Sequence, residues 1–483
     1  MLYVILETKW FYLVQKCTKY LDLNKLNMLI RVVFILSLSI FFFMNILWVL
    51  YDPTQVLFYT VLPLKFSSYY IYIGIDGISL FFMYLTSFLT PLCILYCMGG
   101  NKYHRLENII CVFSIEILLL LVFSVLDLLF FYVSFEAVLV PFFIMIGIRG
   151  SRTRKIHAAY SLFFYTLFGS LLMLCAIFTL YMAIGSTDFQ LLYAAELSLV
   201  REHIVWWGFF IAFAIKVPML PFHLWLPEAH VESPTEGSVI LAGVSLKVGL
   251  YGILRILLQI FYEVTMYYFV IVVVLGILSI FYTSLTTLRQ IDIKRVVAYS
   301  SIAHMNLCVL GLMSFNIISV CGSVILMFGH GLVSCGLFFI IGMLYDRFGT
   351  KIIKYYSGLA HTMPLLSIFF FFFVLGNISM PGTSNFIGEF LIICGLLEEY
   401  NLYSLFVGLV GILCCTIYTL WVYNKVVFGL VNKKYMLYMR DLTYREFHVL
   451  LPLAFFTVLV GICPTPFVDL FYYSISYGFN IFI

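Results

Sequence analysis

Thirteen apolar stretches of about twenty residues or more follow one another along the chain. They lie near 28–50, 73–98, 109–126, 128–148, 157–184, 203–222, 237–260, 266–288, 294–313, 316–345, 362–397, 404–428 and 448–470. An α-helix rises 1.5 Å per residue, so about 20 apolar residues cross the roughly 30 Å hydrocarbon layer of a bilayer. Because lipid offers backbone groups no hydrogen bonds, only helices and closed barrels span it, and runs this long are helices. The pattern therefore predicts an all-α polytopic membrane protein. Composition agrees: 64% of the 483 residues are hydrophobic and 10% charged, against roughly 45–50% and about 25% in soluble domains.

Proline, glycine and aspartate mark where the helices stop. Ile109 to Ile148 contains no glycine or proline before Pro141, yet as one helix it would be about twice the hydrocarbon thickness. A turn is expected at Asp127. Pro218 and Pro221 interrupt the sixth span, and Pro381-Gly382 interrupts the eleventh, so both are read as broken helices.

Charge supplies the orientation. With the N-terminus and every second loop taken as one side, the other side holds only Lys65, Arg201 and Arg255, and Lys216 and Lys247 lie within spans. The first side then carries 22 of the 27 lysines and arginines, and positive charge marks the side where the chain is made. These basic loops act as topology signals rather than as a surface for nucleic acid. Residues 1–27 include the short apolar run LYVILETKWFYLV with Glu7 and Lys9, expected to be an interfacial helix or a reduced first helix. The segment 28–483 forms the transmembrane domain.

Several chemistries find no support. There is no glycine-rich phosphate loop and no ferredoxin-type cysteine run, so no nucleotide, flavin or iron–sulfur cluster is expected in this chain. The twelve cysteines show no metal-like pairing and are read as packing residues. Of nine histidines only His304 and His330 lie deep in spans, which does not suit a bis-histidine haem bundle. Neither a cofactor nor a metal is expected.

What remains are ionisable groups inside the membrane. Lys216 and Lys247 sit in the sixth and seventh spans, Glu136 mid-way along the fourth, and Glu389 just after the break in the eleventh. Glu116 lies at a depth similar to Glu136 across the turn at Asp127. A charge at the bilayer centre costs on the order of 2.5–3.5 kcal/mol even on insertion scales, so such groups face a wet or paired interior. Each taken singly has a structural reading as a hydrogen-bond partner; two lysines, two carboxylates and two histidines together point to proton handling. Desolvation disfavours the charged form of either group and an opposite neighbour favours it, so making or breaking a Glu136–Lys216 pair would switch the lysine's proton. Histidine suits relay positions between them.

The residues also carry a resemblance. The run AFAIKVPMLPFHLWLPEAHVESPTEGSVILAGVSLKVGLYGILR at 212–255 is similar to the signature region of the chain 4 family of respiratory complex I, the proton-translocating NADH:quinone oxidoreductase. Further matches are IGIDGISL at 73–80, SFEAVLVP at 134–141, HAAYSLFFYTLFGSLLML at 157–174, VAYSSIAHMNLCVLGL at 297–312, GHGLVSCGLFFIIGMLYDR at 329–347 and MPGTSNFIGEF at 380–390. The AHVESPT…GSVILAG portion separates it from the paralogous chains 2 and 5.

The resemblance implies about fourteen helices, with two inverted five-helix repeats near 105–260 and 266–428, each containing a broken helix. It implies roles by motif: Glu136 as pair partner, Lys216 as switching lysine, Lys247 as central relay, His304 and His330 along the same axis, and Glu389 at the exit. The partners implied are other membrane-arm subunits, notably the chain 2 and chain 5 paralogues, and lipids, with NADH, FMN, iron–sulfur clusters and ubiquinone bound elsewhere. The implied location is the mitochondrial inner membrane, or alternatively a bacterial plasma membrane. Glu236 departs from the family, which usually has a small residue there; its acid is read either as loop-exposed or as perturbing the nearby end of the seventh span. Asp76 reads as an N-cap, Arg255 as an anchor at a helix end, and His223 and His230 as hydrogen-bonding groups at the helix break. Two alternatives stay open: a subunit of a multi-subunit cation/proton antiporter, and a structural membrane scaffold.

Overall fold

The computed structural model describes the chain except for residues 1–22, 55–57, 59, 67–68, 100–104, 151–152, 196, 401, 432–439 and 481–483. The proposed interfacial stretch thus lies almost wholly outside the described residues. Helix α1 is Leu23–Leu50, followed by an antiparallel pair, β1 Thr60–Phe66 and β2 Tyr69–Ile75, in register from Thr60 opposite Ile75 to Phe66 opposite Tyr69. Then come α2 Gly77–Cys97, α3 Arg105–Ser124, α4 Leu128–Arg149, α5 Lys155–Ile184, α6 Leu199–Lys216, α7 Trp225–Glu232 and α8 Thr235–Leu257. The remainder is α9 Tyr262–Thr287, α10 Ile293–Met313, α11 Ile317–Phe348, α12 Pro364–Asn377, α13 Ser384–Tyr400, α14 Leu402–Val427, α15 Tyr444–Ile462 and α16 Thr465–Asn480.

Among the described residues, 11 helices are long and apolar enough to cross a membrane. The two remaining expected spans are the interrupted ones, α6 with α7 and α12 with α13. The chain is a multi-pass membrane protein. Where the structure differs from the pattern, local chemistry explains it. The second span begins at Gly77 rather than 73, because the aromatic and β-branched run YYIYIGI forms a strand and Asp76 then caps the helix. The last span ends at Ile462, since Pro464 cannot continue it, and α16 starts afresh.

The expected turn at Asp127 is present: its Oδ1 accepts from Leu129 N at 2.8 Å, and its Oδ2 accepts from Thr187 Oγ1 at 3.0 Å. The β-pair closes against this turn, with Leu126 N donating to Tyr72 O at 3.0 Å. On the opposite, basic-loop side Ile293 N donates to Lys351 O at 2.9 Å, tying the α9–α10 and α11–α12 loops together.

Burial defines the centre. α2, α8 and α11 are enclosed along nearly their whole length, while α1 keeps most of its apolar side chains outward. Small residues let the inner helices approach. A Cβ on Gly388 would fall 2.7 Å from Leu326 Cα, so α13 lies directly against α11, and a Cβ on Gly249 would fall 3.1 Å from Lys216 Cβ, bringing α8 to the end of α6.

Candidate functional site

Both expected helix breaks are built by the chain's own chemistry. α6 ends at Lys216; Pro218 offers no N–H, and Met219 N reaches back to Ala214 O at 2.8 Å. The Leu220–Pro221 peptide is cis. Trp225 Nε1 donates to Ile215 O at 3.0 Å and Asn306 Nδ2 to Pro218 O at 3.5 Å, so protein groups satisfy carbonyls that the break releases. In the second break Ser379 has φ 62° and Gly382 φ 90°, and Cys415 Sγ donates to Asn377 O at 3.3 Å.

Four of the expected residues meet. Lys247, fully buried, lies in α8 between two π-helical turns, Leu241–Ser245 and Ile253–Leu257; such widened turns recur at functional sites. Its Nζ donates to Ala242 O and stands 3.1 Å from His330 Nδ1 on α11. The His330 ring is 5.5 Å from that of His304 on α10, whose Nδ1 is 3.0 Å from Glu389 Oε1 on α13. Four elements thus deliver one file, Lys247–His330–His304–Glu389. Beyond it Cys415 Sγ stands 3.6 Å from His304 Nε2 and accepts from Tyr418 OH at 3.1 Å. A cavity bordered by His304, Glu389, Asn377, Ser379, Cys415 and Tyr418 marks this end.

The other two stand apart from that file. Lys216 Nζ lies over the Phe135 ring, 4.4 Å from its centroid, a cation–π contact. Glu136, the next residue on α4, is within electrostatic reach of Lys216, but no ion pair among the described residues joins them. Glu136 Oε1 and both oxygens of Glu116 are buried without a hydrogen-bond partner in the protein. Lys216 thus rests on an aromatic face with the Glu136 carboxylate within electrostatic reach.

Several neighbours need correction. Glu236 is 5% exposed rather than loop-exposed, and Cys97 Sγ donates to its Oε1 at 2.9 Å. Lys294 and Lys351, grouped with the loop charges, are buried because their ammonium groups bond backbone carbonyls: Lys294 that of Ser233 at 3.1 Å, Lys351 that of Val231 at 2.6 Å. Neither His230, stacked on Phe338 with centroids 4.8 Å apart, nor His223, edge-on to Tyr282 at 5.5 Å, has a ring nitrogen hydrogen-bonded within the protein, contrary to the helix-break reading. Asp76 does cap α2, in a capping box with Ser79, and it also pairs with Arg255 at 2.5 Å, so the anchor and cap readings meet in one contact. Asn377, Cys415 and Tyr418 carried no sequence signal; they are ordinary residues made polar neighbours by the second break.

A fold of long membrane helices, two of them interrupted, around a buried line of lysine, histidine and glutamate defines the class of antiporter-like membrane subunits. Residues 125–416 match the family described as NADH:quinone oxidoreductase/Mrp antiporter, TM. Over 443 residues the chain is 48% identical to NADH-ubiquinone oxidoreductase chain 4 of Marchantia polymorpha, covering 91% of this chain and 89% of that one. The Arabidopsis thaliana protein of the same name gives the same identity and coverage. Among solved structures, a chain of respiratory complex I from Thermus thermophilus superposes with TM-score 0.82 at 27% identity, over 93% of this chain and 92% of that one. A chain of the Mrp complex from Dietzia superposes with TM-score 0.83 at 18% identity, over 94% and 93%, a likeness of fold alone. The chain belongs to the NADH:quinone oxidoreductase/Mrp antiporter transmembrane family, on its NADH-ubiquinone oxidoreductase chain 4 branch.

Proposed function

We propose that this chain is a proton-translocating membrane-arm subunit of NADH:ubiquinone oxidoreductase, in the mitochondrial inner membrane, coupling electron transfer in partner subunits to proton export. The observation that carries the reading is the buried file Lys247–His330–His304–Glu389. Its members are spaced for proton exchange directly or through one water, and a purely structural ion pair would need no string of two histidines between lysine and glutamate. Lys216 and Glu136 form the switch beside it, in the first of two inverted repeats near 105–260 and 266–428. NADH, FMN, iron–sulfur clusters and ubiquinone belong to partner subunits, and the chain 2 and chain 5 paralogues are the expected neighbours. The 48% identity to oxidoreductase chains favours this over a cation/proton antiporter, since the chain of the Mrp complex is 18% identical.

Each transfer breaks one N–H or O–H bond as the next forms, so the file moves charge without a cofactor. In the assembled complex in sealed vesicles, Lys247→Met is expected to leave assembly intact and to lower NADH-driven proton export by about tenfold or more, the scale of a lost acid–base group. Unchanged export would overturn the reading.

A further inference from the structure

The far end of α8, away from the basic loops, is built differently from its centre. Lys247, Tyr251 and Arg255 stand four residues apart, so they follow one another along one face of the helix at intervals of about 6 Å. Buried Arg255 gives its donors to three neighbours: Nε to Tyr251 Oη at 3.4 Å, Nη1 to Gln259 Oε1 at 3.5 Å and Nη2 to Asp76 Oδ2 at 2.5 Å. The other oxygen of Asp76, Oδ1, accepts from Ser79 N at 3.0 Å, so both carboxylate oxygens are engaged. Phe58 lies over the guanidinium with its centroid 5.3 Å from Cζ, and Tyr193 OH donates to Gln259 Oε1 at 2.9 Å.

Between the lysine and the arginine the packing is aromatic. The Tyr251 ring stands edge-on to Phe123 of α3 at 5.1 Å and to Phe82 of α2 at 6.1 Å, with Phe131 of α4 at 6.4 Å. The Tyr251 hydroxyl is committed on both sides: it donates to Phe123 O at 3.3 Å and accepts from Arg255. A hydroxyl hands a proton on by taking one at its oxygen while releasing its own to a further acceptor. Here its own proton points at a peptide carbonyl, and its oxygen faces a guanidinium that stays protonated at accessible pH.

We propose that Tyr251 and the Arg255–Asp76 pair form a proton seal, which stops protons passing along α8 between Lys247 and the side opposite the basic loops. The proposal rests on the proton-translocating reading above, because a central lysine open to that side along its own helix would let exported protons run back. A fixed positive charge in a narrow path of low dielectric repels protons and other cations. The committed hydroxyl adds a second block, and the engaged oxygens of Asp76 offer no free acceptor behind it. The way that stays open to the Lys247 proton is sideways, to His330 Nδ1 at 3.1 Å.

The test uses the assembled complex in sealed vesicles and follows proton flux after an imposed pH step, without NADH. The paired variant Arg255→Gln with Asp76→Asn removes both charges together and keeps an N-cap for α2. Its passive flux should rise several-fold, with quinone reduction near the unaltered rate and fewer protons retained per NADH. Adding Tyr251→Phe, which deletes the hydroxyl and keeps the ring, should bring the flux back down. Unchanged flux in the paired variant would overturn the seal, and so would a raised flux that Tyr251→Phe leaves in place, which marks a packing defect. If the paired variant fails to assemble, Arg255→Lys decides, since an ammonium can hand on the proton that a guanidinium keeps: its vesicles should leak, and tight ones would overturn the seal. Full NADH-driven export by Lys247→Met would instead overturn the reading on which the seal rests.

Discussion

Lys216 shows how one side chain separates a switch from a brace. Its ammonium rests on Phe135 and makes no ion pair with Glu136, so Lys216→Met has no salt bridge to break. Assembly should persist while proton export per NADH falls by about tenfold or more. Lys216→Arg should also impair export, because a guanidinium stays protonated at accessible pH and cannot release its proton on cue. A structural brace gives the opposite order: arginine tolerated, and methionine costing about 3–5 kcal/mol by leaving a buried partner uncompensated. Measuring assembled complex, quinone reduction and export in both variants decides between them, and normal export in the arginine variant would sink the switch. At this scale the sequence was informative wherever a charge interrupted an apolar run, as at Lys216, Lys247, Glu136 and Glu389. It misled where charges flank a span: Lys294, between Asp292 and Arg295, reads as a loop residue, and only its bond to Ser233 O reveals that it is buried.

Helices position these groups, and their spacing depends on glycine. α13 carries Glu389 to His304 because Gly388 lets it lie on the backbone of α11 at Leu326. Gly388→Ala places a methyl 2.7 Å from Leu326 Cα, and overpacking of this kind costs about 1–3 kcal/mol. The variant should melt at lower temperature in detergent and lose export through a lengthened His304–Glu389 contact. Gly147→Ala, where a Cβ meets nothing within 4 Å, is the control and should be neutral or slightly stabilising; equal melting of the two would remove the argument. Proline made both broken helices legible beforehand. The β-pair was not, because an apolar strand running into an apolar helix leaves no polar boundary. Nor were the π-turns around Lys247, the first packed against α11 and the second against α6, which no residue pattern marks.

For the whole molecule, the division of charge fixes what the fold must be joined to. The basic loops at 289–294 and 346–358 lie together, and the Asp76–Arg255 pair and the β-pair lie at the other end of the helices, so the file has one orientation across the membrane. Pumping through such a file consumes free energy, and the NADH-ubiquinone oxidoreductase chains it resembles match over about nine-tenths of both lengths. No group of three or more histidine, cysteine, aspartate or glutamate side chains among the described residues is placed to hold a metal. On the proposed function the driving reaction lies in companion chains, and the outward apolar faces, such as that of α1, meet either those chains or lipid. In mild detergent the chain should migrate on native gels within a large assembly and co-purify with flavin- and iron–sulfur-bearing subunits. Cross-links should reach other helical subunits at both ends of its repeat axis. Migration as a free monomer with its buried file intact would argue against a place in such an arm, and co-purification with antiporter subunits and no redox partner would move the chain to the other branch of its family.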